Sequence, residues 1–246
     1  MSAKWLQGRV IENRHWTDTA FSLRAQLPGD APRLSFEAGQ FVRIALEEEL
    51  ARPFSFVNPP HDPVLEFYGI VVPGGPLSPR LARLRAGERL LVASNPAGFL
   101  VLSEVPDAKT LWLVSTGTGI APFLSLLRTE TPWQRFRNVV LVHAVRHAAE
   151  LVYQDVIGKI SKEQGLRSVT FVSREAHAGS LAGRIPSALR DGRLEKAAGL
   201  ALDHDAHVML CGNPDMLKDA QAALAERGLR KHRRRNPGHI TVESFW

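Results

Sequence analysis

The sequence predicts a β half followed by an α/β half, with the architecture changing near residue 104. Before that point the chain falls into short β-rich runs broken by turn signals, the pattern of a barrel or sandwich. After it, continuous apolar runs alternate with helix-like stretches, the pattern of a parallel sheet covered on both faces. The two patterns meet over residues 104–109, which places the units at 1–104 and 105–246.

Taken in order, residues 41–46 alternate apolar and polar side chains with period two for most of their length, as a half-buried strand does. Residues 64–72 form a second β-rich run, closed by Pro73-Gly74-Gly75-Pro76. A helix-like stretch follows over 78–84, with Ser78 as its N-cap and Pro79 in its first turn. The turn Ala86-Gly87-Glu88 then leads into a third strand over 90–93. In the second half, apolar strands are expected over 110–114, 139–144, 169–172 and 207–211. Helices are expected over 120–128, 150–164 and 214–227. There is no internal repeat or low-complexity tract.

Bulk properties narrow the function classes. With 246 residues and 44% hydrophobic composition the chain can bury a sizeable core. Its 23% charged residues with modest net charge argue against disorder. No apolar run approaches the roughly 20 residues of a membrane helix, and the start lacks a signal-peptide stretch. The single cysteine, Cys211, excludes an intramolecular disulfide. A cytoplasmic protein is expected. The net charge of +6 favours an acidic partner: nucleic acid, an acidic protein or a phosphorylated cofactor.

Several segments can carry chemistry, each with an ordinary structural alternative. Ser115-Thr116-Gly117-Thr118-Gly119-Ile120-Ala121-Pro122 joins a strand to a helix, where glycines admit a ligand and free N–H groups attract phosphate. It is neither a full G-x-G-x-x-G nor a Walker A loop, and an ordinary glycine-rich turn explains it equally well. In Arg52-Pro53-Phe54-Ser55, arginine can clamp a phosphate, the phenyl ring can stack on a heterocycle and serine can donate to a ring nitrogen. An edge strand with a solvated arginine and a core phenylalanine is the alternative. Gly75-Pro76-Leu77-Ser78 offers a second pyrophosphate cradle or a plain capped turn. Arg146, Arg174 and Arg184 follow strands of the α/β half, with Arg146 and Arg174 at strand carboxyl ends, and any one of them is otherwise a solvated surface arginine. Together they suit an adenosine 2′-phosphate, with Glu175 the one acidic residue placed as a rival ribose ligand. In Cys211-Gly212-Asn213-Pro214 a thiol beside glycine can lie against a nicotinamide, or serve as a small core residue. Phe245 and Trp246, at a terminus, are expected to pack on something flat. The basic run Lys231-His232-Arg233-Arg234-Arg235 can bind nucleic acid electrostatically, but it lacks interleaved aromatics and reads more readily as a solvated or partner-facing patch.

Taken in order, Arg-x-aromatic-Ser, Gly-Pro-Leu-Ser, Thr-Gly-Thr-Gly-Ile-Ala-Pro and Cys-Gly-Asn-Pro resemble the ferredoxin–NADP reductases. Arg184-Ile185-Pro186 after Ser173-Arg174-Glu175, Gly238-His239-Ile240-Thr241-Val242-Glu243 and the aromatic terminus are similar to the bacterial ferredoxin/flavodoxin–NADP reductase branch. The resemblance spans nearly the whole chain. It implies an antiparallel FAD-binding β-barrel followed by a Rossmann-like, parallel-sheet NADP-binding domain whose C-terminal tail returns to the flavin. By the same resemblance, FAD is held by Arg52, Pro53, Phe54, Ser55, Tyr68, Gly69, Ile70, Val71, Pro76, Leu77, Ser78, Thr118, Phe245 and Trp246. NADP is held by Val145, Arg146, Ser173, Arg174, Arg184, Asn213, Pro214, Asp215 and Asp219. Ser55, Cys211 and Glu243 fall near the reacting atoms, and no metal is expected. Phe54 and Phe245 stand where relatives often carry Tyr, which keeps stacking but removes two hydroxyls.

The implied activity is hydride transfer between nicotinamide C4 and flavin N5, then single-electron steps to ferredoxin or flavodoxin, with Phe245 gating access. A monomer of bacterial origin with an oxidative-stress role is expected on the same ground. The alternatives are an NADPH-dependent free flavin or quinone reductase, a non-catalytic flavin redox sensor, and a nucleic-acid binder using residues 231–235.

Overall fold

The computed structural model describes residues 4–29 and 34–244. Six antiparallel strands form the first sheet: β1 Trp5–His15, β2 Ala20–Gln26, β3 Phe41–Ala45, β4 Arg52–Ser55, β5 Val64–Ile70 and β6 Arg89–Ala93. Their spatial order is β4-β3-β6-β1-β2-β5. The two edges nearly meet, because Phe56, just past β4, bridges Phe67 of β5, and the Val57 N–H donates to the Glu66 carbonyl at 2.8 Å. Closure removes the exposed strand edges and leaves a barrel. Inside it pack Leu6, Val10, Phe21, Leu23, Val42, Ile44, Phe56 and Phe67.

The second sheet is wholly parallel: β7 Thr110–Thr116, β8 Asn138–Val145, β9 Arg167–Val172, β10 Leu181–Ala182, β11 Ala206–Gly212 and β12 Ile240–Ser244, in the order β10-β9-β8-β7-β11-β12. The order reverses between β7 and β11, so the crevice beyond their carboxyl ends is the place where such folds take ligands. β7, β8 and β11 are buried along almost their whole length, because helices cover both faces. Those helices are α2 Ala121–Leu127, α3 Thr131–Arg135, α4 Gln154–Gln164, α5 Ile185–Arg190, α6 Arg193–Ala198 and α7 Pro214–Ala225, while α1 Ser78–Leu81 belongs to the barrel half. α7 starts cleanly because the Asn213 side chain accepts from the Asp215 and Met216 N–H groups and Pro214 begins the helix. Among the described residues no helix is long and apolar enough to cross a membrane.

The structure adds β10, β12, α3, α5 and α6 to the elements expected from the sequence, and differs from those expectations in further ways. β1 and β2 are additional strands, and the irregular pairing between Val10 and Glu12 blurs the period-two signal of β1. The helix expected over 78–84 ends at Leu81, and Ser78 is not its cap: the Ser78 hydroxyl accepts from the Val72 N–H at 2.9 Å. The helix expected from 120 begins as a 3-10 turn at Gly117–Ile120 and becomes α2 only at Ala121. The helix expected from 150 starts at Gln154, because Tyr153 adopts a left-handed backbone with φ 58° and breaks the run.

Candidate functional site

A cavity of about 400 Å³ opens where the barrel meets the carboxyl end of the parallel sheet. Arg52, Pro53, Phe54 and Ser55 of β4 form one wall, and Tyr68, Gly69 and Ile70 of β5 form another. Pro76, Leu77 and Ser78 close one end, and Thr118 and Ala121 border it from the α/β half. Phe54 reaches this close to β5 only because residue 69 has no side chain: a Cβ there would sit 2.7 Å from Phe54 Cε1. The ring also meets Phe67 edge-on at 6.4 Å, which fixes its plane. Ser78, by holding the Val72 N–H, folds the 72–78 turn against the cavity mouth. Burial, reinforced by Glu150, holds the Tyr68 phenol well above its ordinary range, so it stays a neutral donor.

Val71, expected to line the flavin, does not border this cavity; Val72 does. The Val71 N–H donates to the Thr19 carbonyl at 2.7 Å, continuing the extended chain one residue past β5. Alternation along that chain puts Tyr68, Ile70 and Val72 on one side and packs Val71 against the barrel core. Phe245 and Trp246 lie outside the described residues.

Cys211 and Glu243 stand opposite each other at the ends of β11 and β12. Cys211 is fully buried, and burial with the neighbouring Glu243 pushes its thiol up, so it is an uncharged SH. The Glu243 Oε2 accepts from the Phe99 N–H at 3.2 Å, while its Oε1 is buried without a partner. Burial raises this carboxyl to about 7, although the Phe99 and Leu100 N–H groups draw it down. Gly119, next to Thr118, packs directly on Cys211: a Cβ there would lie 2.5 Å from the Cys211 carbonyl oxygen. Ser55 borders the cavity directly, whereas Cys211 adjoins it through that turn and Glu243 stands beside Cys211 on β12.

The arginines form a row. Val145 pairs with Val172 and Ala182 with Val172, so Arg146, Arg174 and Arg184 all leave β8, β9 and β10 at the same edge. The strands stay laced beyond their ends: the Ser173 N–H and hydroxyl both donate to the Val145 carbonyl at 3.1 Å, and the Arg174 N–H to the Arg146 carbonyl at 2.9 Å. Glu150, not singled out in the sequence, accepts from the Arg146 and His147 N–H groups at 2.8 and 3.3 Å. Glu175 accepts from the Ala148 N–H at 2.6 Å and sits 3.6 Å from His147, so it braces the turn. On the other side of the crevice, the Asn213 N–H donates to Thr116 Oγ1 at 2.9 Å, tying β7 and β11 together. Pro214, Asp215 and Asp219 follow on α7. Tyr153 carries no signal in the sequence because its partner Glu66 lies on another element, whereas Glu150 caps its own turn, accepting from N–H groups three and four residues before it.

Chemically, the cavity offers an apolar, aromatic-walled slot with a guanidinium at one side and a turn at its end, which fits a planar heterocycle bearing phosphate. Three arginines leaving the sheet at one edge offer the charge that a phosphate monoester takes. The basic run is partly engaged: Arg234 clamps Glu104 at 2.8 and 2.5 Å and lies 5.0 Å from the Phe99 ring, while Lys231, Arg233 and Arg235 are exposed.

The model of the oxidoreductase NAD-binding domain matches residues 113–222. A flavodoxin/ferredoxin–NADP reductase of Shigella flexneri is 49% identical over 251 residues, covering 99% of this chain and 100% of the relative. A ferredoxin–NADP reductase of Pseudomonas aeruginosa is 38% identical over 250 residues, covering 96% and 95%. Among solved structures, a ferredoxin NADP+ reductase from Neisseria gonorrhoeae with bound FAD and NADP is similar at a TM-score of 0.93 and 32% identity, covering 99% of this chain and 100% of that one.

Proposed function

Because this chain belongs to the flavodoxin/ferredoxin–NADP reductase family, we infer that it moves electrons between NADP(H) and a small one-electron carrier, ferredoxin or flavodoxin, using FAD. The observation that supports the reading best is the adjacency of two shapes. An aromatic slot for a flavin lies between the barrel and the β7–β11 crevice, and a row of arginines stands at the same sheet edge. We place the division between the flavin half and the nucleotide half at residues 104 and 105.

When bound, FAD exchanges two electrons with a nicotinamide and one at a time with a carrier. The protein's share is position, charge and water exclusion. Phe54 packs on the ring plane, Ser55 and Thr118 offer hydrogen bonds at its edge, and Arg52 with the 76–78 turn takes the pyrophosphate. Arg146, Arg174 and Arg184 take the 2′-phosphate, with Val145, Ser173 and residues 213–215 bordering the nucleotide. Glu243 keeps a proton near neutral pH close to the reacting edge, and Cys211 presents a neutral thiol beside it. A monomer working in the cytoplasm completes the reading.

Two measurements test it. Purified protein is expected to show a flavin absorption band that bleaches on adding NADPH; a colourless protein that folds in excess FAD yet binds none would refute the reading. Replacing Arg174 and Arg184 with Ala is expected to lower kcat/KM for NADPH by about tenfold or more while NADH changes little, since two charge-assisted phosphate contacts are lost. Equal losses for both nucleotides would remove the 2′-phosphate assignment.

A further inference from the structure

The turn that brings Thr118 to the cavity is gripped from beneath by a side chain outside both proposed cofactor sites. His143 of β8 stands in register with Ser115 of β7 and is 1% exposed. Its Nε2 lies 3.1 Å from the Gly117 carbonyl oxygen. A carbonyl only accepts, so Nε2 carries the proton and donates. Burial holds the imidazole down at about 4, which keeps the ring neutral and leaves Nδ1 a bare acceptor. That Nδ1 is buried and has no partner among the described residues. An orphaned buried acceptor carries an uncompensated loss of hydration, so an apolar side chain would sit in this sheet more comfortably. What an apolar side chain cannot do is hold the Gly117 carbonyl.

That carbonyl needs holding. Gly117 opens the 3-10 turn Gly117–Ile120 with φ +52° and no Cβ, so at this first peptide, shared with Thr118, the residue's own φ preference holds the orientation less firmly than an ordinary residue would. A peptide unit is planar and trans, so its C=O and the following N–H point in opposite directions. Drawing the Gly117 oxygen down onto β8 therefore turns the Thr118 N–H away from the sheet. Thr118 itself borders the cavity.

Resting on the flavin reading above, we propose that His143 is a positioning residue: through its hydrogen bond to the Gly117 carbonyl it sets the Gly117–Thr118 peptide and so the contact of Thr118 with the flavin. The functional element is the Nε2–H, not the ring's bulk and not a charge. The Gly117 hydrogen bond and, after it, the charge of Glu150 both oppose the effect of burial on the ring.

The test compares His143→Leu and His143→Gln with the wild-type holoenzyme. Glutamine places an amide N–H at about the reach of Nε2, and leucine fills similar space with no donor. The readouts are the FAD dissociation constant from flavin fluorescence, the visible spectrum of bound flavin, kcat and KM for NADPH, and the melting temperature of the apoprotein. His143→Leu is expected to melt no lower than wild type, yet to bind FAD or turn over NADPH about tenfold worse, as a small misplacement near the reacting atoms produces. His143→Gln is expected to stay within about twofold of wild type on both counts. A His143→Leu protein equal to wild type, or a His143→Gln protein as impaired as the leucine variant, would overturn the proposal. Should the leucine variant not fold, His143→Asn replaces it. Its amide reaches only the Nδ1 position, so it is expected to be impaired where glutamine is not, and equal behaviour of the two again overturns the proposal. A wild type that takes no FAD defeats the functional reading itself. A yellow, active wild type with an indifferent His143 defeats this proposal alone.

Discussion

At the scale of a single residue, Glu243 shows how burial turns a position into a pH response. Its carboxyl is raised from an ordinary 4.5 to about 7, chiefly because burial penalises the charged form and one oxygen has no partner. Between those two values the folded protein keeps a proton that the unfolded chain releases. Stability therefore falls as pH rises through that window, by up to about 1.4 kcal/mol per pH unit, and levels off above it. Glu243→Gln removes the titration. Its stability relative to wild type is expected to climb from pH 4.5 to about 7 and then stay level, as read by urea unfolding at several pH values. Parallel curves for the two proteins would show that the carboxyl does not hold its proton. The same change removes the acid nearest Cys211 and is the simplest probe of whether that proton matters to turnover.

At the scale of elements, the joint between barrel and sheet rests on a few polar contacts set in apolar surroundings. Tyr153, just before α4, donates its hydroxyl to Glu66 Oε1 of β5 at 2.9 Å. Arg128, just after α2, donates to Glu66 Oε2 at 3.2 Å and to the Val57 carbonyl at 3.3 Å. Around them the Tyr153 ring packs on Trp16 at 4.8 Å and edge-on to Tyr68 at 5.8 Å. A left-handed backbone at a tyrosine costs on the order of 1 kcal/mol, which these contacts offset. Removing the hydroxyl in Tyr153→Phe leaves Glu66 with one donor fewer. It is expected to lower stability by about 1.5–3 kcal/mol, the range for a hydrogen bond to a charged group. Chemical denaturation measures this directly, and a variant as stable as wild type would mean that Arg128 alone satisfies the carboxylate.

At the scale of the whole molecule, one core crosses from half to half. Ala38, Val57 and Tyr68 of the barrel side share a cluster with Leu111, Leu113, Phe123, Leu141 and Met209 of the sheet side. The connecting segment belongs to it too: Leu102 and Val105 are buried, and Arg135 of α3 donates to the Leu102, Val105 and Pro106 carbonyls. A connector packed in this way is not a hinge. Two-domain chains often unfold in steps, but here neither half can open without exposing the other's apolar surface. Thermal unfolding is expected to give a single calorimetric transition whose van't Hoff and calorimetric enthalpies agree. Two resolved transitions would show that the shared cluster is too weak to couple the halves.

Much of the architecture was legible before any coordinates. The switch from period-two runs to continuous apolar strands marks the change from barrel to parallel sheet, because solvent reaches one face of the first and neither face of the second. Turn chemistry marks the ends of strands, and so the loop at Gly117 stood out as a place where a ligand can meet backbone, while Arg52–Ser55 stood out for side chains that can clamp, stack and donate. Tertiary structure alone decided the rest. Val71 faces the core because the extended chain continues one residue past β5 and bonds to Thr19, and Ser78 holds Val72 where a helix cap was expected. His143 meets Gly117 26 positions away, Tyr153 meets Glu66 87 positions away, and Phe99 meets Glu243 144 positions away. Periodicity and turn preference are local properties, written within a few residues of where they act. A buried polar contact between distant segments exists only once the chain has closed on itself.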